Sequence, residues 1–144
     1  MRVAIFSLLA ITVLACREPT APSRDDVIAH HASWSTHGLT KYSYVYEETG
    51  YFICCTEGQQ IRLVVINDVV TSAVLVATGQ PVPGSPSVFP TIDALFERAV
   101  RAAEATALSA IAYDPVFDYP TRMDLAGPPD ASGSVFASDL QLLP

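Results

Sequence analysis

The stretch Lys41-Tyr-Ser-Tyr-Val-Tyr-Glu47 places a tyrosine at every second position. Because the side chains of a β-strand point alternately to opposite faces, Tyr42, Tyr44 and Tyr46 are predicted to share one face of a sheet. A tyrosine can bury its ring while its hydroxyl keeps a hydrogen bond. The pattern therefore predicts a strand whose aromatic face is covered by a helix. An exposed aromatic binding surface is the alternative.

Further strands are predicted on the C-terminal side of this stretch. Thr49-Gly50 should break or bulge the first strand, and Tyr51–Cys55 should continue it in extended form. Gln60–Ala77 is predicted to form a hairpin around a tight turn at Asn67-Asp68. Both arms are β-branched and nearly uncharged, which places the hairpin near the centre of the sheet. Three short strands complete the prediction, at Ser109–Tyr113, Thr121–Leu125 and Val135–Leu142.

Two helices accompany these strands. Ser23 is a suitable N-cap for a helix that ends near Gly38. Thr91 precedes an amphipathic helix whose apolar residues recur at helical spacing. The predicted fold is therefore α+β: an antiparallel sheet of about five to six strands, with an N-terminal helix and one central amphipathic helix packed on it.

The N-terminus is typical of a secretory signal peptide. A basic start at Met1-Arg2 is followed by the largely apolar run Val3–Leu14. This run is too short to cross a bilayer as a helix, which takes about 20 residues. Val13-Leu14-Ala15-Cys16 resembles a bacterial lipobox, which implies cleavage before Cys16 and acylation of that cysteine. The alternative is an ordinary signal peptide cut nearby.

This reading divides the chain into residues 1–15 as signal peptide, 16–23 as lipidated cysteine and tether, and 24–144 as a single domain. The expected location is the bacterial cell envelope, with the lipid as a membrane anchor. By resemblance to enteric lipoproteins, Arg17 in place of aspartate favours an outer membrane, facing the periplasm, if the organism has one. Otherwise the expected place is the outer face of the cytoplasmic membrane.

The remaining cysteines, Cys54 and Cys55, are adjacent. Neighbouring Cα atoms lie about 3.8 Å apart, below the usual disulfide range of about 4.4–6.8 Å. A zinc site would need spaced ligands and a second pair. Two unpaired thiols, a strained vicinal disulfide, and a metal or redox site all remain open, and no cofactor or tight metal is predicted.

Two motifs carry a resemblance to a known family. Thr91-Ile-Asp-Ala-Leu-Phe96 and Tyr113-Asp-Pro-Val-Phe-Asp-Tyr-Pro-Thr121 resemble DUF6174, a bacterial family of mostly small secreted or lipid-anchored proteins. The resemblance extends roughly from Trp34 to Leu142. Family members usually have glycine at the position of Asp118 and cysteines spaced C-x-C. The resemblance implies a fold and a location, but no established activity.

The turn between the predicted strands Ser109–Tyr113 and Thr121–Leu125 is the main candidate site. It is predicted to be a rigid strand–turn–strand element, structural or ligand-binding, in which Asp118 adopts the positive φ that glycine would take in the family. The residues assigned to it are Tyr113, Asp114, Pro115, Asp118, Tyr119, Pro120 and Thr121.

The sequence carries no recognised catalytic motif. His30 and His37 lie two turns apart without an obvious carboxylate partner, so surface or half-buried positions are predicted rather than metal ligation. The net charge of −7 argues against a nucleic-acid partner. The predicted function is a binding or assembly module for another envelope protein or a small ligand. The alternative is an envelope enzyme, a hydrolase or a thiol-dependent one, that uses Asp, His or Cys side chains such as Asp114, Asp118 and Asp124.

Overall fold

The computed structural model describes residues 21–50, 58–127 and 132–144. Cys16, Cys54, Cys55, the signal peptide, most of the tether and the extended segment 51–55 lie outside the described residues. In chain order the elements are α1 (Arg24–Thr36), β1 (Lys41–Gly50), β2 (Ile61–Ile66), β3 (Val69–Leu75), a 3-10 helix (Pro86–Val88), α2 (Ile92–Glu104), β4 (Leu108–Tyr113), β5 (Pro120–Leu125) and β6 (Gly133–Leu142).

The six strands form one antiparallel sheet in the order β3-β2-β1-β6-β5-β4. Together with two helices this confirms the predicted α+β class. The expectation that the β2–β3 hairpin lies at the centre is wrong, because β6 pairs with the free side of β1 and makes β1 and β6 the central strands. The apolar edge of β3 is instead closed by residues 80–82, where Leu75 N–H donates to Gln80 at 2.9 Å and Val82 N–H to Ala73 at 3.0 Å.

The local predictions for helices and turns are confirmed. The Ser23 hydroxyl accepts from the Asp26 amide at the start of α1, and the Thr91 hydroxyl accepts from the Ala94 amide at the start of α2. Asn67 and Asp68 both have positive φ, at 51° and 60°, as a two-residue hairpin turn requires. These caps and turns fix where each element begins.

The tyrosine face of β1 forms the core. Tyr42, Tyr44 and Tyr46 are at most 4% exposed and pack beneath the helices, so the predicted packing is confirmed and the exposed aromatic surface is wrong. Each hydroxyl has a partner: Tyr42 accepts from the Ile92 amide at 3.2 Å, Tyr44 donates to the Pro90 carbonyl and Tyr46 to the Glu48 carboxylate. Burial raises the pKa of all three phenols, so they remain protonated at neutral pH.

The opposite face of the sheet carries ion pairs rather than a described helix. Arg62 on β2 pairs with Asp139 on β6, so the pair spans the intervening strand β1, where the register partner of Arg62 is Val45, 7% exposed. Asp139 reaches this position from an irregularity in β6, where its φ is 50°. Among the described residues, no helix is long and apolar enough to cross a membrane.

Candidate functional site

The site is built where α1 packs against the β4–β5 turn and the first turn of α2. His30 projects from the middle of α1 towards the β4–β5 turn, where its Nδ1 lies 2.8 Å from Asp118 Oδ1. On its other side, His30 Nε2 lies 3.9 Å from Asp26 Oδ1, one helical turn earlier. The imidazole is therefore held between two carboxylates, one from its own helix and one from the β4–β5 turn.

The turn that presents Asp118 is rigid for local reasons. The Asp114 carboxylate accepts hydrogen bonds from the amides of Val116 and Phe117, at 2.9 and 2.8 Å. The Asp114 amide donates to the Tyr119 carbonyl at 2.8 Å and thereby closes the turn. Pro115 follows Asp114 directly and fixes φ at the start of the turn. Asp118 has a φ of 65°, which confirms the positive angle predicted for this position.

The other residues assigned to this turn lie at its base. Tyr119 is 3% exposed and its ring packs edge-on against Trp34, with the centroids 6.2 Å apart. Pro120 is fully buried and Thr121 is half-buried. Tyr113 is half-buried, and its ring stacks on His30 with the centroids 3.6 Å apart. The base of the turn is thus fastened to α1 by aromatic contacts.

A second histidine repeats the arrangement towards α2. His31 Nε2 lies 2.9 Å from Asp93 Oδ1, and the Trp34 indole donates to Asp93 Oδ2 at 3.3 Å. The His31 ring stacks on Phe96, whose ring in turn lies parallel to Tyr113, with centroid separations of 4.6 and 6.3 Å. Two adjacent histidines of α1 thus reach two different elements, and stacked rings connect them through α2 and β4.

The electrostatics of the cluster favour an ionised Asp118. Hydrogen bonds from Ser33 and His30 hold the pKa of the Asp118 carboxyl below its usual value, against a smaller opposing effect of desolvation. For Tyr113, burial raises the pKa, and the carboxylates of Asp26 and Asp118 add to the rise. The Tyr113 hydroxyl is buried and has no hydrogen-bond partner among the described residues.

This geometry has limited catalytic capacity. Acid–base catalysis by a histidine needs an imidazole nitrogen aimed at a hydroxyl, a thiol or a substrate. Here Nδ1 of His30 faces Asp118 and Nε2 faces Asp26, so both nitrogens are directed at carboxylates. Across residues 21–50, 58–127 and 132–144, no group of three His, Cys, Asp or Glu side chains is arranged to hold a metal ion.

The remaining catalytic candidates do not join this cluster. Asp124 is held by Arg122 at 2.9 Å and by the Ser134 hydroxyl at 2.7 Å, on the outer face of the sheet. It lines an open cleft of about 400 Å³ formed by β1, β5 and β6. His37 contacts the edge of the Phe117 ring, with the centroids 5.4 Å apart. The structure therefore brings together Tyr113, Asp118 and His30, and leaves Asp124 elsewhere.

The carboxylate partners of the histidines were not predicted from the sequence. Asp118 lies 88 positions from His30, and Asp93 lies 62 positions from His31. Asp93 also occupies the first turn of α2, where an acidic residue is expected for favourable interaction with the helix dipole alone. Local spacing in the sequence cannot predict such His–Asp pairs, because they form only when α1 packs on the rest of the domain.

Replacing Asp118 with asparagine should make the stability of the domain less dependent on pH on the acidic side. A carboxyl whose pKa is lowered on folding contributes stability above its unfolded value of about 4, and that contribution is lost as pH falls through the lower folded value. In urea unfolding at pH 7, the free energy of unfolding should therefore be higher for wild type than for Asp118→Asn. At pH 3 this difference should be smaller. A difference that is equal at both pH values would contradict the bridge to His30.

Comparison with known proteins gives a family match. Residues 26–133 match the model of a family described as a family of unknown function, DUF6174. No curated protein and no solved structure matches the chain significantly.

Proposed function

The chain belongs to the DUF6174 family, and from that premise we propose that it is a bacterial envelope lipoprotein, a binding or assembly module held at a membrane by lipid on Cys16. The observation that carries the anchoring is the sequence Val13-Leu14-Ala15-Cys16 at the end of a short apolar run. Helix α1 begins at Arg24, so only residues 17–23 separate the proposed acylation site from folded structure.

The tether and the lipid suit this arrangement. Arg17-Glu-Pro-Thr-Ala-Pro-Ser23 is short, polar and interrupted by prolines, which favours an extended spacer. A single acyl chain binds membranes only marginally, whereas two or more anchor a protein stably, and lipoprotein processing supplies more than one. Arg17 supports release to an outer membrane where the cell has one.

A binding role is supported by how the polar groups of the domain are used. The carboxylate of Asp114 accepts from amides of its own turn, Asp118 and Asp93 hold the histidines of α1, and the tyrosines of β1 are buried. These side chains maintain the fold, which leaves the surface for recognition. The alternative is an envelope enzyme using Asp, His or Cys; if His30 were its acid or base, one of its ring nitrogens would first have to leave its carboxylate partner.

Substitution of Cys16 with serine should abolish lipidation and membrane association together. The test is metabolic labelling with a clickable fatty-acid analogue, followed by fractionation of membranes and soluble material. Wild type and the control Cys55→Ser should be labelled and sediment with membranes, since only Cys16 stands in the lipobox. Labelling of Cys16→Ser at the wild-type level, or a wild type that stays soluble, would overturn the proposal.

A further inference from the structure

We propose that the outer edge of β4 binds an extended, basic segment of a partner protein, which adds to the sheet as a further strand. This surface deepens the proposed binding function and rests on it. Within the described part of the chain, strand β4, Leu108–Tyr113, is the last strand on its side of the sheet and pairs with β5 alone. No backbone hydrogen bond from the described turns and loops reaches its outward side.

The pairing with β5 shows which backbone groups are free. The carbonyl of Asp124 faces β4, since it accepts the Ser109 hydroxyl at 3.0 Å. Its register partner Ala110 therefore directs its own backbone groups at β5, and the next residue, Ile111, directs its N–H and C=O outward. Tyr113 does the same, because the following amide, that of Asp114, points towards β5 and donates to the Tyr119 carbonyl at 2.8 Å. The edge thus offers the donors and acceptors of Ile111 and Tyr113, two residues apart, to an extended chain.

Strand β4 lacks charge and proline, two of the features by which proteins usually protect an edge, and register shifts on either side leave Ala110–Ala112 as its regular part. Its sequence, Leu-Ser-Ala-Ile-Ala-Tyr, contains no charged residue and no proline. Ala110 and Ala112 are exposed and small, so an added strand meets little steric resistance on the outer face. The opposite edge of the sheet, β3, is already paired with Pro81 through a bridge at Val74. Strand addition is the recognition mode that such an open edge fits.

The negative charge near the β4 edge determines which kind of segment can bind there. Asp26 lies beside the Tyr113 end of β4, since its carboxylate is 3.9 Å from His30, whose ring stacks on Tyr113. The chain as a whole carries a formal charge of −7. A second copy of this acidic chain would be repelled at the edge, whereas a segment rich in lysine or arginine would be attracted. The geometry therefore favours a basic partner segment over self-pairing.

The test uses the purified protein, extracted from membranes in detergent, and two synthetic hexapeptides, one alternating lysine with valine and one alternating glutamate with valine. The basic peptide should bind at least about tenfold more tightly than the acidic one. In hydrogen-exchange measurements it should slow exchange at Ile111 and Tyr113 specifically. Equal affinity for the two peptides, or slowed exchange confined to other strands, would overturn the proposal.

A matched pair of variants separates the local carboxylate from the overall charge. Asp26→Asn and Asp25→Asn each remove one negative charge, but Asp25 is 93% exposed and pairs with Arg24 at 3.5 Å. Asp26→Asn should weaken binding of the basic peptide about threefold to tenfold, and Asp25→Asn should leave it nearly unchanged. Equal loss in both variants, or a dimer of the free protein that protects Ile111, would overturn the basic-segment assignment. If neither peptide bound while Cys16 was still acylated, the proposed binding at the β4 edge would be wrong. The proposed lipid anchor would not be affected by that result.

Discussion

Replacing Phe96 with alanine is expected to lower the free energy of unfolding by about 3–5 kcal/mol. Phe96 is fully buried on α2, and its ring lies between those of His31 on α1 and Tyr113 on β4. Truncation would remove the transfer free energy of a large side chain and would leave a cavity at the junction of three elements. The total stability of a domain of this kind is about 5–15 kcal/mol, so the loss would be a large fraction of it.

The measurement for Phe96 is urea unfolding followed by the fluorescence of Trp34, the single tryptophan, which is 3% exposed. Phe96→Leu serves as the control because it keeps most of the apolar volume but removes the ring. Its expected loss is about 1–2 kcal/mol, which combines imperfect packing with the loss of aromatic stacking. A loss under about 1 kcal/mol for Phe96→Ala would contradict the central position of this ring.

The secondary structure was largely predictable from the sequence because its signals are local. The alternation of Tyr42, Tyr44 and Tyr46 identified both the strand and its buried face, and Thr91 marked the start of α2. In both cases neighbouring residues determine the conformation, so spacing along the chain is sufficient evidence. The positive φ of Asp118 was predicted from the family resemblance, which places glycine at this position between Pro115 and Pro120, and the structure confirms it.

Strand order was not predictable, because it depends on pairings between distant residues. The apolar arms of the β2–β3 hairpin are typical of a central position, but β6 takes that position by pairing with β1 along its length. The hairpin tolerates the edge because residues 80–82 return to cover β3. A hydrophobic pattern reports burial alone and does not distinguish a strand covered by another strand from one covered by a loop.

The candidate site was predictable in part. The turn residues were identified from the sequence, and the helix α1 against which they pack was predicted to start after Ser23, as it does. The carboxylates that hold His30 and His31 were missed, since each comes from an element that meets α1 only in the folded domain. Apolar packing produces a periodic pattern of hydrophobic residues in the sequence, whereas polar contacts between distant elements produce no such pattern.

Replacing Gly133 with alanine should destabilise the domain by about 3 kcal/mol, because the approach of β6 to β1 leaves no room for a side chain. A Cβ atom built on Gly133 would lie 2.5 Å from the backbone oxygen of Thr49. That oxygen belongs to a central strand and cannot withdraw like the end of a flexible side chain. Gly133 pairs with Gly50, where a Cβ would likewise lie 2.5 Å from the Ser132 backbone oxygen. Two glycines facing each other are therefore what allows this end of the two central strands to close.

Gly38→Ala is the matched control, because it isolates backbone strain from steric overlap. Gly38 ends α1 with a φ of 60°, and a Cβ there would have no neighbour within 4 Å. Its replacement should cost about 1–2 kcal/mol, the penalty of a left-handed conformation for an L-residue. Gly133 has no positive φ, so its larger loss would come from the clash alone. If urea unfolding gave Gly133→Ala a loss no greater than that of Gly38→Ala, the close approach of β1 and β6 would be refuted. A larger loss would instead confirm that the backbones of β1 and β6 approach too closely at Gly133 for any side chain.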